Sequence, residues 1–196
     1  ADKFPWKFSL KTHYELKDDG LIFTTTVTNT DSSTMLFSIG SHTAFCCPRN
    51  TDPAGTVNSD YQYEFEKKEP LTTVLLNDAA QLAVDEEGTA PCTKLYGEKE
   101  NGIIPIDAKG FGNGHFFTKI TSDWVGLRNK KDGSLVKVNC KGYPYVMVWQ
   151  GGKAKKALLV TVLTALNLGT ELPMLKIPDM SGKKRALNPR ISTALK

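Results

Sequence analysis

The chain has 196 residues, 40% of them hydrophobic and 23% charged, with 25 basic against 21 acidic side chains and a formal net charge of +4. That length and balance suit one globular domain with a sizeable core, and they exclude a low-complexity, collagen-like or disulfide-scaffold chain. The longest apolar run, 157–166, is too short to cross a bilayer, so a membrane partner is not expected.

The dominant period is two. Phe8, Leu10, Tyr14 and Leu16 share one parity, with Lys7, Lys11, Glu15 and Lys17 on the other, which predicts a strand with one wet face. His13 falls on the polar parity and reads as a surface residue. Asp18-Asp19-Gly20 predicts a hairpin turn, and the β-branched run from Leu21 to Asn29 predicts its second strand. After a turn at 30–33, Met35 to Gly40 predicts a further strand ending just before His42. Residues 48–60, with two prolines and a glycine, predict a long surface loop. Tyr61, Tyr63 and Phe65 alternate again, and Leu71 to Leu76 is β-like. Residues 77–87 have the best helix propensity in the chain and predict one short helix or helical turn.

In the second half, Trp124–Leu127 and Leu135–Val138 flank Lys131-Asp132-Gly133-Ser134, a strong hairpin signal. Tyr143 to Trp149 and the almost wholly apolar 157–166 form another pair, the latter expected to be covered on both faces. The tail after Leu172 carries three prolines, and 191–195 predicts a last strand. No linker divides the chain, so residues 1–196 are read as a single all-β domain, a large antiparallel β-sandwich of ten or more strands.

Cys46, Cys47, Cys92 and Cys140 have no metal-type spacing and read as reduced thiols of a cytoplasmic protein. The lysine clusters at 153–156 and 183–185 lack interleaved aromatics, so they read as solvated loops and nucleic acid is not an expected partner. Phosphate-loop, dinucleotide, nucleophile-elbow and H-E-x-x-H patterns are all missing. Three histidines carry the remaining acid–base potential. His42 follows Gly40-Ser41 beside small residues and has the near-neutral pKa range of a proton donor, although on the residues alone a structural role is the more ordinary reading. His115 follows three glycines in 110–114, where backbone can approach a ligand closely. Trp149 and the other aromatics suit either a sugar platform or the sheet faces.

The run Phe4 to Leu10, then Tyr14-Glu15-Leu16, Val27-Thr28-Asn29 and Met35 to Phe45, resembles the middle of an aldose 1-epimerase, or galactose mutarotase-like, protein. The most specific part is Phe37-Ser38-Ile39-Gly40-Ser41-His42-Thr43-Ala44-Phe45, which is similar to a family pattern F-S-x-G-x-H-P-A-F. Tyr143 to Trp149 resembles the family strand ending in W, and Leu187-Asn188-Pro189 its closing L-x-P element. The resemblance implies the galactose mutarotase-like supersandwich fold, with this chain matching the C-terminal two-thirds of the family domain and beginning, at Ala1, inside a longer protein.

It also implies a function: binding a hexose or hexose phosphate and interconverting its α and β anomers by acid–base ring opening, with no metal or organic cofactor. His42 takes the place of the family's general acid and sugar ligand. The resemblance further implies sugar contacts at Asn113, His115, Trp149 and Thr161. Two positions depart from the family pattern. The strand that carries the family's glutamate base, C-I-E-P-W, falls on Leu159 to Leu166, with Thr161 or Val162 in the glutamate position, and the family aspartate falls near Asn113-Gly114. The alternative is therefore a non-catalytic carbohydrate-binding protein of the same fold. An incomplete sheet would also leave strand edges open to a partner chain or self-association.

Overall fold

The structure is a computed structural model and describes residues 5–37, 39–75, 83–87, 92–96, 102–106, 115–143, 145–150, 158–164, 175–177, 185–187 and 190–194. His42, Trp149, Gln150 and the residues from 158 onward are described through their backbone alone.

The strands, in chain order, are β1 (Phe8–Lys17), β2 (Gly20–Asn29), β3 (Met35–Phe37), β4 (Ser41–Cys47), β5 (Tyr61–Phe65), β6 (Leu71–Val74), β7 (Thr93–Tyr96), β8 (Ile103–Pro105), β9 (His115–Thr118), β10 (Trp124–Asn129), β11 (Leu135–Asn139), β12 (Tyr145–Gln150), β13 (Leu158–Thr164), β14 (Leu175–Ile177), β15 (Arg185–Leu187) and β16 (Arg190–Ala194). They build an eight-stranded sheet in the order β1-β2-β16-β11-β10-β5-β8, with β15 also pairing β2. A six-stranded sheet runs β4-β13-β12-β9-β6-β7, and β14 pairs with β3. Every pairing is antiparallel, as the sequence alternation predicts.

The two hairpins read from the sequence form where their turn residues require. β1 and β2 pair from Lys17↔Gly20 outward to Phe8↔Asn29. At the β10–β11 turn Gly133 takes φ +73°, a conformation that disfavours any side chain. Asp132 accepts hydrogen bonds there from the Ser134 N–H (2.9 Å) and hydroxyl (2.6 Å). The loop at 48–60 is tied to the same turn by Arg49. Its Nε donates to Asp52 Oδ1 (2.9 Å), its Nη2 reaches the Ser134 hydroxyl, and the Tyr61 hydroxyl also donates to Asp52.

One core lies between the two large sheets. Tyr63, Phe65, Val125, Leu127 and Val138 come from the eight-stranded sheet, and Leu71, Phe117, Val146 and Val148 from the six-stranded one. Phe65 and Phe117 meet edge to face across the layer, with ring centroids 5.7 Å apart. A second, smaller cluster of Val27, Met35 and Phe37 packs with Trp6 and Ile39 at the β2–β3 end.

Two expectations are corrected. Residues 83–87, the described end of the expected helix, are not helical. Ala83 accepts from the Cys92 N–H (2.8 Å) and donates to the Leu75 carbonyl (2.9 Å), so inter-strand hydrogen bonds override local helix propensity. Residues 77–82 lie outside the described residues. The strand expected to end just before His42 instead stops at Phe37, and a new strand begins at Ser41, so His42 sits inside β4 and not in a loop. Seven consecutive pairs with β13, from Ser41 to Cys47, hold it there.

Candidate functional site

The register of the six-stranded sheet decides which residues share a face. Side chains alternate along a strand, and directly opposed residues of neighbouring strands lie on the same side. One cross-sheet row is Ser41, Thr164, Val146, Phe117 and Thr73; another is Thr43, Val162, Val148 and His115. Phe117, Val146 and Val148 are core residues, so these two rows belong to the inner face, against the other sheet.

The rows between them belong to the opposite face. His42 is in register with Leu163, Met147, Phe116 and Val74, and the next row on that face is Ala44, Thr161 and Trp149. His42, Thr161 and Trp149 therefore occupy positions on one face. Thr161 is the diagonal neighbour of His42 on the adjacent strand, roughly 7–8 Å away. Trp149 lies one strand further, at about 4.8 Å per strand. Met147 and Phe116, which share the His42 row and which sequence reasoning did not single out, are both buried. The signal for Met147 was present as the alternation Tyr145, Met147, Trp149 along one strand.

His115 is placed differently. It opens β9 opposite Val148, on the inner-face parity, half-buried. Its ring lies 4.5 Å from Tyr96 and 6.0 Å from Phe117, both of the core layer. The register thus does not bring it to the face that holds His42. Asn113 lies outside the described residues, as do the lysines of 153–156 and 183–184.

Several polar groups in the described residues are engaged in holding the fold. Glu69 is buried, and its carboxylate accepts from the N–H and hydroxyl of both Thr121 and Ser122 at 2.5–2.9 Å. Burial by itself raises its pKa, and the four hydrogen bonds outweigh this and hold it below the usual carboxylate range. Glu64 is held low by its bond to Arg128, whose Nη2 donates to Glu64 Oε1 at 2.8 Å. All four cysteines are free. Burial pushes Cys47 and Cys140 up to about 12, so both are neutral thiols at pH 7 and poor nucleophiles. The Arg49–Asp52–Tyr61 cluster is likewise self-satisfied, with the Tyr61 phenol pushed up to about 12, first by burial and then by its bond to Asp52.

Comparison with protein-family models matches residues 1–176 to the aldose 1-epimerase family. The chain belongs to that family. Among solved structures, it is similar to a galactose mutarotase related enzyme from Lactobacillus acidophilus, at 20% identity and a TM-score of 0.79, over 98% of this chain and 63% of that one. It is also similar to a galactose mutarotase-like protein from Lactobacillus casei ATCC 334, at 21% identity and a TM-score of 0.71, over 98% and 65%. A third, a galactose mutarotase-like protein from Clostridium acetobutylicum, matches at 16% identity and a TM-score of 0.65, over 98% and 58%. Comparison with curated protein sequences finds no match. These likenesses establish the mutarotase-like fold. This aldose 1-epimerase family member spans less than two-thirds of the length of each of the three.

Proposed function

We propose that the face of the six-stranded sheet bearing the His42, Thr161 and Trp149 positions binds a hexose or hexose phosphate, and that His42 donates a proton to the sugar in anomer exchange. The observation that carries this reading is the register, which puts His42 in one row with buried Met147 and Phe116 and beside the Thr161–Trp149 row. An apolar floor with a few polar groups at its edge suits the mixed faces of a pyranose. Asn113 joins the proposed contacts through the resemblance alone.

In this reading His42 protonates the ring oxygen while a base removes the proton from the anomeric hydroxyl. The ring opens, the C1–C2 bond turns, and the ring recloses on the other face. No metal or organic cofactor takes part in this scheme. Acid and base must flank one sugar, and the position of the family's base falls on β13, the strand paired with the His42 strand β4.

A second reading is favoured by one specific feature. The β13 positions that correspond to the family base are Thr161 and Val162, neither of which takes up a proton at neutral pH. Loss of a general base costs roughly 10²–10⁴-fold in rate. A protein that binds the sugar without turning it over is therefore the alternative.

Polarimetry or NMR of freshly dissolved α-glucose and α-galactose separates the two. Acceleration of anomer exchange that falls by about 10²-fold or more in His42→Ala supports the enzyme. Saturable binding with no acceleration supports the binding protein, and neither binding nor acceleration overturns both.

A further inference from the structure

The face that carries the His42 position holds a further row, on the other side of the His42 row from Thr161 and Trp149. Tyr145 of β12 is in register with Thr118 of β9, and Thr118 with Thr72 of β6. They have the parity of Met147, Phe116 and Val74, the neighbouring row, and so lie on the same face. The chemistry changes from one row to the next. Met147, Phe116 and Val74 are apolar and buried, whereas Tyr145, Thr118 and Thr72 are half-buried and each carries a hydroxyl. Burial holds the Tyr145 phenol above its ordinary value, so at pH 7 it keeps its proton and both donates and accepts hydrogen bonds.

Along β12 the positions Tyr145, Met147 and Trp149 follow one another on this face, and the His42 position lies in the Met147 row, two strands away. With about 4.8 Å between strands and about 3.4 Å per residue, the Cα positions of Tyr145 and His42 are roughly 12 Å apart. That separation leaves room for one sugar ring between a group at each position, with a hydrogen bond of about 2.8 Å on either side. We propose that Tyr145, with Thr118 beside it, hydrogen-bonds a hydroxyl group of the aldose that meets His42, and so selects among aldoses by that hydroxyl. The inference rests on the sugar reading of this face and adds to it a residue that fixes how the ring lies. A site built to hydrogen-bond a substrate hydroxyl rejects the analogue that lacks it, because the protein's own polar group then loses its partner.

Titration calorimetry or NMR of the full chain with glucose, galactose and their monodeoxy analogues tests this in the wild type and in Tyr145→Phe, Thr118→Val and His42→Ala. Tyr145→Phe removes the O–H and keeps the ring. It is expected to weaken binding of the parent sugar by about three- to tenfold. That loss is expected to vanish for the one monodeoxy analogue that lacks the hydroxyl Tyr145 holds, and to persist for the others. Thr118→Val, which keeps the shape of the side chain, is expected to show the same selective loss. Far-UV circular dichroism and thermal melts of each variant report any loss of fold. Tyr145→Phe and Thr118→Val binding every sugar as tightly as wild type overturns the proposal. So does an equal loss for all the sugars, which is what a purely structural role gives. If His42→Ala weakens binding and these two variants do not, the role of Tyr145 falls and the sugar reading stands. If the wild type binds none of the sugars, the sugar reading falls and this inference falls with it.

Discussion

Glu69 illustrates how a single ionised side chain is retained inside this protein. Its carboxylate receives four donors from two consecutive residues, Thr121 and Ser122, which lead into β10. Glu69→Gln puts an amide N–H₂ against donors, and the expected loss is about 1–3 kcal/mol in urea denaturation at pH 7. The pH dependence follows from the lowered pKa. Folding favours the ionised form, so this contribution is complete above the ordinary carboxylate value of about pH 4 and is lost as pH falls through the lower folded value. The gap between wild type and Glu69→Gln should therefore narrow in acid; a gap that holds constant down to pH 2 would refute the assignment. Nothing in the local sequence Lys68-Glu69-Pro70 signals this role, because its partners lie more than fifty residues away.

Glycine 102 sets the geometry where β8 joins β5. It has φ +59°, and its carbonyl accepts from the Phe65 N–H at 2.8 Å. A Cβ there would stand 2.4 Å from the Lys67 carbonyl oxygen, a backbone atom with little room to give. Gly102→Ala combines a strained backbone with a clash, so it is expected to destabilise by more than about 1 kcal/mol, measurable as a lowered thermal midpoint. Strands at this scale were legible in the sequence wherever alternation was strict, as in β1 and β5, or where Gly marked a hairpin, as between β10 and β11. The helix expected over 77–87 failed in its described part because propensity is local, whereas Ala83 is claimed by hydrogen bonds to Leu75 and Cys92. The break between β3 and β4 was not legible either, since apolar Ile39 after Ser38 kept the β-like run going to Gly40.

The molecule as a whole is held by contacts between its two large sheets, and Phe117 is at their centre. It is fully buried, edge to face with Phe65 across the layer and with Tyr96 on its own sheet. Phe117→Ala should cost about 3–5 kcal/mol in denaturant unfolding. A loss below 1 kcal/mol would mean that the two sheets do not pack through it. The candidate site lies on the other side of the same sheet, so truncation of Phe117 tests the sandwich while His42→Ala tests the site.

The amino-acid order by itself determined the all-β class, the two glycine hairpins, and His42 as the foremost candidate, because side-chain alternation, turn geometry and a short motif are all local. Which residues join His42 was decided only by the tertiary structure. His115, like His42, looks suited to a ligand pocket in the sequence, yet the pairing of β9 with β12 assigns it to the inner face. Thr161 and Trp149, more than a hundred residues from His42, share its face because β13 pairs with β4 on one edge and β12 on the other. A shift of one residue in either register would exchange the faces, and that register is set by long-range packing against the core and not by any residue's immediate neighbours.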